Sequence, residues 1–375
     1  MDAIERFHEV VINRHQYARE WKERTGRNVL GYLCSYVPEE IVYAAGILPV
    51  RILGSHEPQD LTDAHIFGMY CPFCRDCLAQ GLQGRYDYLG GITTAHSCIH
   101  IRQTFVSWKK HVPLSYSHYI YMPGNVQSHN IKDLLIGEYL EFKRSLEKWT
   151  GAEISEHDLD RAIETYNTNR RLMRQVYELR KSETPLISGV EALEMVLSSM
   201  LMDKEEHNQL LSQALEELSK RKIAGEPKPR LMLLGSENDD VEFVRLTESL
   251  GSDIVVDDYC TGTRHFWNDV IAEPDRISAI ASRYINRPPC PQKDLVERRR
   301  LPHILKLAKD YNVQGAIITI QKFCDPHEFD LPAIQAMFKE NNIPNIFLET
   351  DVTIPMGQFR IRIEAFLEML QIELL

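Results

Sequence analysis

The sequence predicts an α/β protein of two tandem Rossmann-like domains, each a short, doubly wound parallel sheet, joined by a helical connector. Three observations predict it. Short apolar runs alternate with helix-period runs at both ends of the chain, the signature of parallel strands covered on both faces. The middle stretch, 131–225, keeps a helical period throughout. The two ends also repeat one another. YLGGITTAHSC, then a helix, then HYIYMPG matches QGAIITIQKFC, then a helix, then NIFLETD, and Cys98 to Tyr119 and Cys324 to Asn345 are each 21 residues.

In order, residues 3–22 read as one amphipathic helix with Ile4, Phe7 and Val11 on one face. NVLGYLC is a strand ending at Cys34. VPEEIVYAAG is a helix, with Pro38 near its start and Gly46 at its end. ILPVRILG is a strand, and 60–69 is loop or short helix. A helix starts at Pro72 and runs out at Gly81 or Gly84. YDYLGGITT is a strand, 99–110 a helix and SHYIYM a strand closed by Pro123-Gly124. These elements form an N-terminal domain, 1–130.

The connector, 131–225, begins with Ile131, Leu134, Leu135, Phe142 and Leu146 at helical spacing. Ser155 and Asp158 are placed for a capping box on a long helix through Lys181. Helices at 189–202 and 203–222 follow, their charges read as solvated faces. Gly225-Glu-Pro-Lys-Pro229 marks the boundary to a C-terminal domain, 226–375. There RLMLLGS, DIVVDD, GAIITI and NIFLET are strands, while 239–250, 301–311, 332–341 and 357–371 are helices. The part with Pro274 and Pro288-Pro289 is mixed.

Across 375 residues, 43% apolar and 26% charged content is that of a water-soluble globular protein. A net charge of −11 without a basic block argues against nucleic-acid binding. The charged opening MDAIERFHEVVINRH is no signal peptide, and no run is long and apolar enough to span a bilayer. The expectation is a cytoplasmic protein without a membrane partner. In that reducing setting its eight cysteines are thiols or metal ligands rather than disulfides.

Cys71, Cys98 and Cys324 share one setting: each sits where a helix begins, the latter two just after a strand. Loops after the strands of open α/β sheets form the ligand crevice, so facing domains place Cys98 and Cys324 across a shared cleft that Cys71 can reach. Helix N-termini favour thiolate and offer N–H groups to cluster sulfides. The three are read as ligands of one iron–sulfur cluster. They are one fewer than a fully ligated cube uses, which leaves an exchangeable iron position.

Other readings of the cysteines stand beside this one. Cys71-x-x-Cys74-x-x-Cys77 mimics part of a ferredoxin run but lacks the following x3-Cys-Pro. On a helix, Cys74 and Cys77 turn inward with Leu78 and read as core. A zinc site from CPFC lacks a second close pair. Cys34, Cys260 and Cys290 read as structural, although Cys34 and Cys260 end strands and so can line the cleft. His96, His100 and His327 flank the ligand cysteines and read as ordinary satisfied histidines. Ser35 and Tyr36, after the first strand, are the substrate-side candidates by position. No P-loop, no G-x-G-x-x-G after a strand and no G-x-S-x-G occurs.

GYLCSYVPEEIVYAAGILPVRILG, YCPFCRDCLAQG, SCIHIRQ, DDYCTGTRHF and QKFCDPHEFDLP together resemble the 2-hydroxyacyl-CoA dehydratase component D family. Within it they resemble the smaller non-ATPase subunits of ATP-dependent benzoyl-CoA reductases. The resemblance implies a [4Fe–4S] cluster on Cys71, Cys98 and Cys324. It implies a homologous larger cluster-bearing subunit, a separate ATP-hydrolysing iron–sulfur activator and reduced ferredoxin as electron donor. The implied reaction is reduction of benzoyl-CoA to a cyclohexadiene carbonyl-CoA. The same scaffold also implies, as alternatives, a 2-hydroxyacyl-CoA dehydratase subunit or an electron-relay subunit that never meets substrate.

Overall fold

The computed structural model describes residues 2–222 and 226–373, with side chains to 370. Gly225, part of the expected boundary, lies outside the described residues. The chain opens on two helices, α1 (Ala3–Ile12) and α2 (Arg14–Thr25), rather than the one expected. Asn13 separates them: its N–H closes α1 on the Glu9 carbonyl while its φ of −102° and ψ of 29° leave the helical region.

The first sheet is built by β1 (Val29–Tyr32), α3 (Glu39–Ala44), β2 (Leu48–Arg51), α4 (Pro72–Leu82), β3 (Gly91–Ala95), α5 (Ile99–His111) and β4 (Tyr116–Ile120). Four helices follow: α6 (Ile131–Thr150), α7 (Glu156–Glu178), α8 (Gly189–Ser199) and α9 (Lys204–Lys220). The expected capping box at Ser155 and Asp158 is present and starts α7. The second sheet comes from β5 (Arg230–Gly235), α10 (Val241–Ser249), β6 (Asp253–Asp258), α11 (Thr263–Phe266), α12 (Arg276–Asn286), α13 (Arg300–Asp310), β7 (Gly315–Gln321), α14 (Asp325–Glu340), β8 (Asn345–Thr350) and α15 (Met356–Glu373), with a short 3-10 turn at Pro291–Lys293.

Both sheets are all-parallel and share one topology, β2-β1-β3-β4 and β6-β5-β7-β8. The protein is therefore two Rossmann-like halves, as predicted. The equal 21-residue spacing does not mark equivalent positions: Tyr119 pairs with Thr94 near the end of β4, whereas Asn345 opens β8 against Ala316.

Three local expectations shift. The apolar run before β3 does not join the ladder, because Tyr86 and Tyr88 are buried as side chains and the Tyr86 hydroxyl is held by the Leu53 backbone. α14 begins at Asp325 and passes through Pro332, which forgoes one backbone hydrogen bond inside the helix. α12 emerges from the mixed region: the Asp275 carboxylate caps it by accepting the Ser278 N–H, and Ile277, Ile280 and Tyr284 form its buried face.

The second sheet is covered on both faces. Leu231 and Leu233 of β5 belong to one apolar cluster, Met232 and Leu234 to another, as period-2 alternation requires. The first cluster continues into the first sheet, so one core links the halves. The second holds Met173, Val176, Met195 and Leu211 of the middle helices. Ala3 and Phe7 of α1 join that second cluster and His8 bonds Glu194 on α8, while Val10 and Val11 join the first cluster, so the N-terminal helix bridges the connector and the first core.

Candidate functional site

The carboxyl ends of both sheets meet around a cavity of about 90 Å³. It is lined from β1 by Cys34, Ser35 and Tyr36, from β2 by Arg51 and from β3 by Ser97 and Cys98. The other half contributes Ser236 and Glu237 after β5, Cys260 after β6, Cys290, Gln321 at the end of β7 and Cys324 after it. The crevice at strand ends is thus shared by the two sheets. Within the second sheet the strand ends lie close: Gly235, at φ 141°, pairs with Thr319 of β7, and a Cβ there would stand 1.8 Å from the Thr319 carbonyl oxygen.

Cys71, Cys98 and Cys324 all reach this cavity, and each is the N-cap of a helix, α4, α5 and α14. Pro72 and Pro326 occupy first helical turns, where the missing N–H costs nothing. The Cys98 sulfur accepts the Ile101 N–H at 3.5 Å. The Cys71 N–H donates to His100 Nδ1 at 3.1 Å, which assigns that ring its Nε2–H tautomer. Phe323 holds a left-handed turn, φ 61°, just before Cys324. A bulky residue there is strained, and the strain sits where the chain must swing a thiol off a strand end.

The thiols differ in acidity. Hydrogen bonding from Cys74 and then from His100 draws the Cys71 thiol down to about 5 against the opposing effect of burial. Burial pushes Cys98 up to about 12 and Cys324 and Cys74 well above the ordinary thiol value. Such thiols release their protons when a cation stands among them.

Ser35 and Tyr36 line the cavity, as position suggested. His100 and His327 also line it, while His96 bonds Tyr119 on the outer side. Cys77 alone of the eight cysteines stays off the wall, its sulfur 3.7 Å from the Ile52 carbonyl. Cys74, 1% exposed, shares the apolar core with Cys77 as expected but also borders the cavity. It faces the cavity, because three residues of helix turn it back toward Cys71. Cys290 is the residue sequence reasoning missed, since it ends no strand. The segment around it is strapped to the first half every third residue. Arg287 bonds the Ser35 carbonyl, the Cys290 N–H donates to the Tyr36 hydroxyl, and Lys293 Nζ bonds the His96, Met122 and Pro123 carbonyls. The Cys-Pro pair it shares with Cys71-Pro72 was the available signal.

Arg51 is 2% exposed, yet its Nε and Nη1 have no hydrogen-bond partner. Gln321 Oε1, His327 Nδ1 and both Glu237 carboxylate oxygens are likewise buried without one. Among the described residues no group of three His, Cys, Asp or Glu is placed to hold a single metal ion. A cluster makes no such demand, because each cysteine binds a different iron. A soft, thiol-rich donor set, three helix N-termini and a buried guanidinium lacking acceptors fit an anionic iron–sulfur group.

Two parallel sheets that share a cysteine-lined cleft at their strand ends define a two-lobed α/β protein with a thiol-based site. The chain belongs to the 2-hydroxyglutaryl-CoA dehydratase, D-component family, which matches residues 34–370. It is 28% identical to the (R)-phenyllactyl-CoA dehydratase beta subunit of Clostridium sporogenes, over 97% of each chain. It is 28% identical to one of the subunits of the benzoyl-CoA reductase of Thauera aromatica, over 88% of this chain and 87% of that one. With the (R)-2-hydroxyglutaryl-CoA dehydratase beta subunit of Acidaminococcus fermentans it shares 26% identity over 98% of each. No described helix is long and apolar enough to cross a membrane.

Proposed function

We propose that this chain is the iron–sulfur subunit of an ATP-dependent enzyme that reduces benzoyl-CoA, with a [4Fe–4S] cluster on Cys71, Cys98 and Cys324. The observation that carries the reading is the convergence of these three helix-capping thiols on one cavity shared by both sheets. A bound cluster there supplies one-electron chemistry. The protein's own part is to hold thiolates at helix N-termini and to shield them unequally: Cys71 is 7% exposed, whereas Cys98 and Cys324 are partly exposed.

Beside the cavity an open groove of about 810 Å³ runs between α5, β4 and α6. Its apolar wall is Phe105, Tyr119, Tyr121 and Leu134, and Arg102 and Lys109 stand on it. His96 lines the groove, and the next residues, Ser97 and Cys98, line the cavity, so the two spaces adjoin. Its size and mix of apolar wall and cations suit a CoA thioester. ATP hydrolysis is assigned to a separate activator, electrons to reduced ferredoxin and a second cluster-bearing subunit to the partner. The likeness to the Thauera aromatica benzoyl-CoA reductase chain supports this assembly.

The second reading is a 2-hydroxyacyl-CoA dehydratase subunit. The dehydratase beta subunits support it, because they match this chain over nearly its whole length. The test is anaerobic turnover by the chain with its co-expressed partner, an activator, ATP and a low-potential reductant. Conversion of benzoyl-CoA to a diene is expected. Turnover of (R)-phenyllactyl-CoA alone would replace the first reading by the second. Turnover of neither, with acyl-CoA bound away from the thiols, would leave an electron-relay subunit.

A further inference from the structure

Arg180, in the turn after α7, is 1% exposed. Its Nη2 donates to the Ile254 carbonyl, while Nε and Nη1 have no partner among the described residues. Asn238, in the loop after β5, is also buried and leaves its Nδ2 unpartnered, although its Oδ1 accepts the Asp240 N–H at 3.4 Å. Buried donors are nearly always matched, by protein or by ordered water.

Both side chains line one small cavity in the second half of the protein, apart from the cysteine-lined cleft. Its volume is about 20 Å³, and every residue on its wall is buried. Leu193, Leu233, Val244 and Ile254 are apolar, and Asp257 supplies an acceptor. One water needs roughly 10–15 Å³ of free space and two to four polar partners, so the cavity takes a single molecule.

The partners match water in kind. Asp257 accepts three hydrogen bonds, from the Tyr177 hydroxyl at 2.5 Å, the Thr263 N–H at 2.7 Å and the Tyr259 N–H at 3.4 Å. A carboxylate offers about four acceptor sites, which leaves it room for one more. A guest that accepts from Arg180 and Asn238 and donates to Asp257 completes the set. An anion accepts but cannot donate, and it meets the Asp257 carboxylate. The Arg180 charge is also answered already. Burial raises the Asp257 and Glu248 carboxyls, and Arg180 is among the groups that pull both back down.

The cavity lies where the connector meets the wall of the cleft. Ser236 and Glu237, just before Asn238, line the cleft, and Asp239, just after it, takes the His56 ring and the Gly54 N–H. The Asn238 backbone is held by Thr261, whose Oγ1 accepts its N–H at 3.3 Å and donates to its carbonyl at 2.6 Å. Its side chain is left to reach across to Arg180.

We propose that one ordered water occupies this space as a fixed part of the protein, accepting hydrogen bonds from Arg180 and Asn238 and donating to Asp257. It ties the connector to the loop that walls the cleft. The inference is independent of what the cleft binds.

The test is diffraction to high resolution from crystals of the full chain, native and exchanged into bromide. The expected result is a single density peak about 2.7–3.2 Å from Arg180, Asn238 and Asp257, without anomalous signal in bromide. No density there, or an Arg180 closed directly onto Asp257, overturns the proposal. A bromide peak overturns it in favour of an anion. Val244→Ile adds one methylene to the cavity wall. Displacing a bonded water with an apolar group strands its partners, so the thermal midpoint should fall. In a dry space the same methylene fills a void and raises the midpoint, which also overturns the proposal. The wild-type density decides even if the variant fails to fold.

Discussion

The Tyr36 hydroxyl, on the first half, accepts a hydrogen bond from the Cys290 N–H, on the second, at 3.1 Å. The Arg287 guanidinium stacks over the same ring, 5.0 Å from its centroid, and bonds the Ser35 carbonyl. Tyr36 is 2% exposed, so this bond is made away from water. It fixes where Cys290 enters the cavity. Tyr36→Phe removes the acceptor and leaves a buried N–H unpaired. The expected cost is about 1–3 kcal/mol, read as a lower denaturation midpoint with the fold retained.

Cys77 distinguishes the cleft from the helix that carries it. Its sulfur points to the Ile52 carbonyl, away from the cavity. Cys77→Ala should keep the wild-type iron content and lose about 1 kcal/mol of stability through the small void left in the core. Loss of iron in that variant would move the site onto the CPFCRDC helix and defeat the cleft assignment.

Arg51 gives a sign that depends on loading. In metal-free protein its unpartnered guanidinium is a liability. Arg51→Met should therefore raise the unfolding midpoint of the iron-free chain, by about 1–3 kcal/mol in stability. The same change should speed iron loss to a chelator from the loaded chain. A midpoint that falls in the iron-free chain would show that the guanidinium is satisfied there.

His56 ties the loop after β2 to the second half. Its Nε2 lies 2.7 Å from Asp239 Oδ1, and the Gly54 N–H donates to Asp239 Oδ2 at 3.1 Å. Burial opposes protonation, but Asp239, with help from Asp240 and Asp76, outweighs it and raises His56 to about 9. A raised value stabilises the fold fully below the unfolded value of about 6.5. That contribution is lost as pH rises through about 9. It should amount to on the order of 2 kcal/mol. His56→Gln should flatten the stability curve over that window, measured by chemical denaturation at fixed ionic strength.

Much of the fold was legible because strand and cap signals are local. β6 falls on the predicted DIVVDD run, and the Ser155–Asp158 box starts its helix. Where reading failed, a tertiary contact had overridden a local pattern. Tyr86 and Tyr88 look like strand residues but are core side chains of a turn. α1 shows one apolar face and no sign that this face will meet α8. α12 was hidden between prolines, although the Asp275 cap was there to be read.

The order of residues alone specifies two parallel α/β halves, a helical stretch between them and thiols at the starts of helices after strands. Period, capping and strand-end position are short-range properties, and they suffice to direct Cys71, Cys98 and Cys324 toward one crevice. Which other groups share that crevice is settled by packing. Cys290 arrives through Arg287, Tyr36 and Lys293, contacts between residues far apart in the chain. Cys74 is turned to the cavity and Cys77 to the core by three residues of helical rotation. That rotation has a meaning only once the helix is docked. Arg51 reads as a polar residue in a strand until burial strips it of water and leaves it lining the thiol-rich cavity. Burial and cross-sheet contact are properties of the assembled chain, and they set the charge balance of this site.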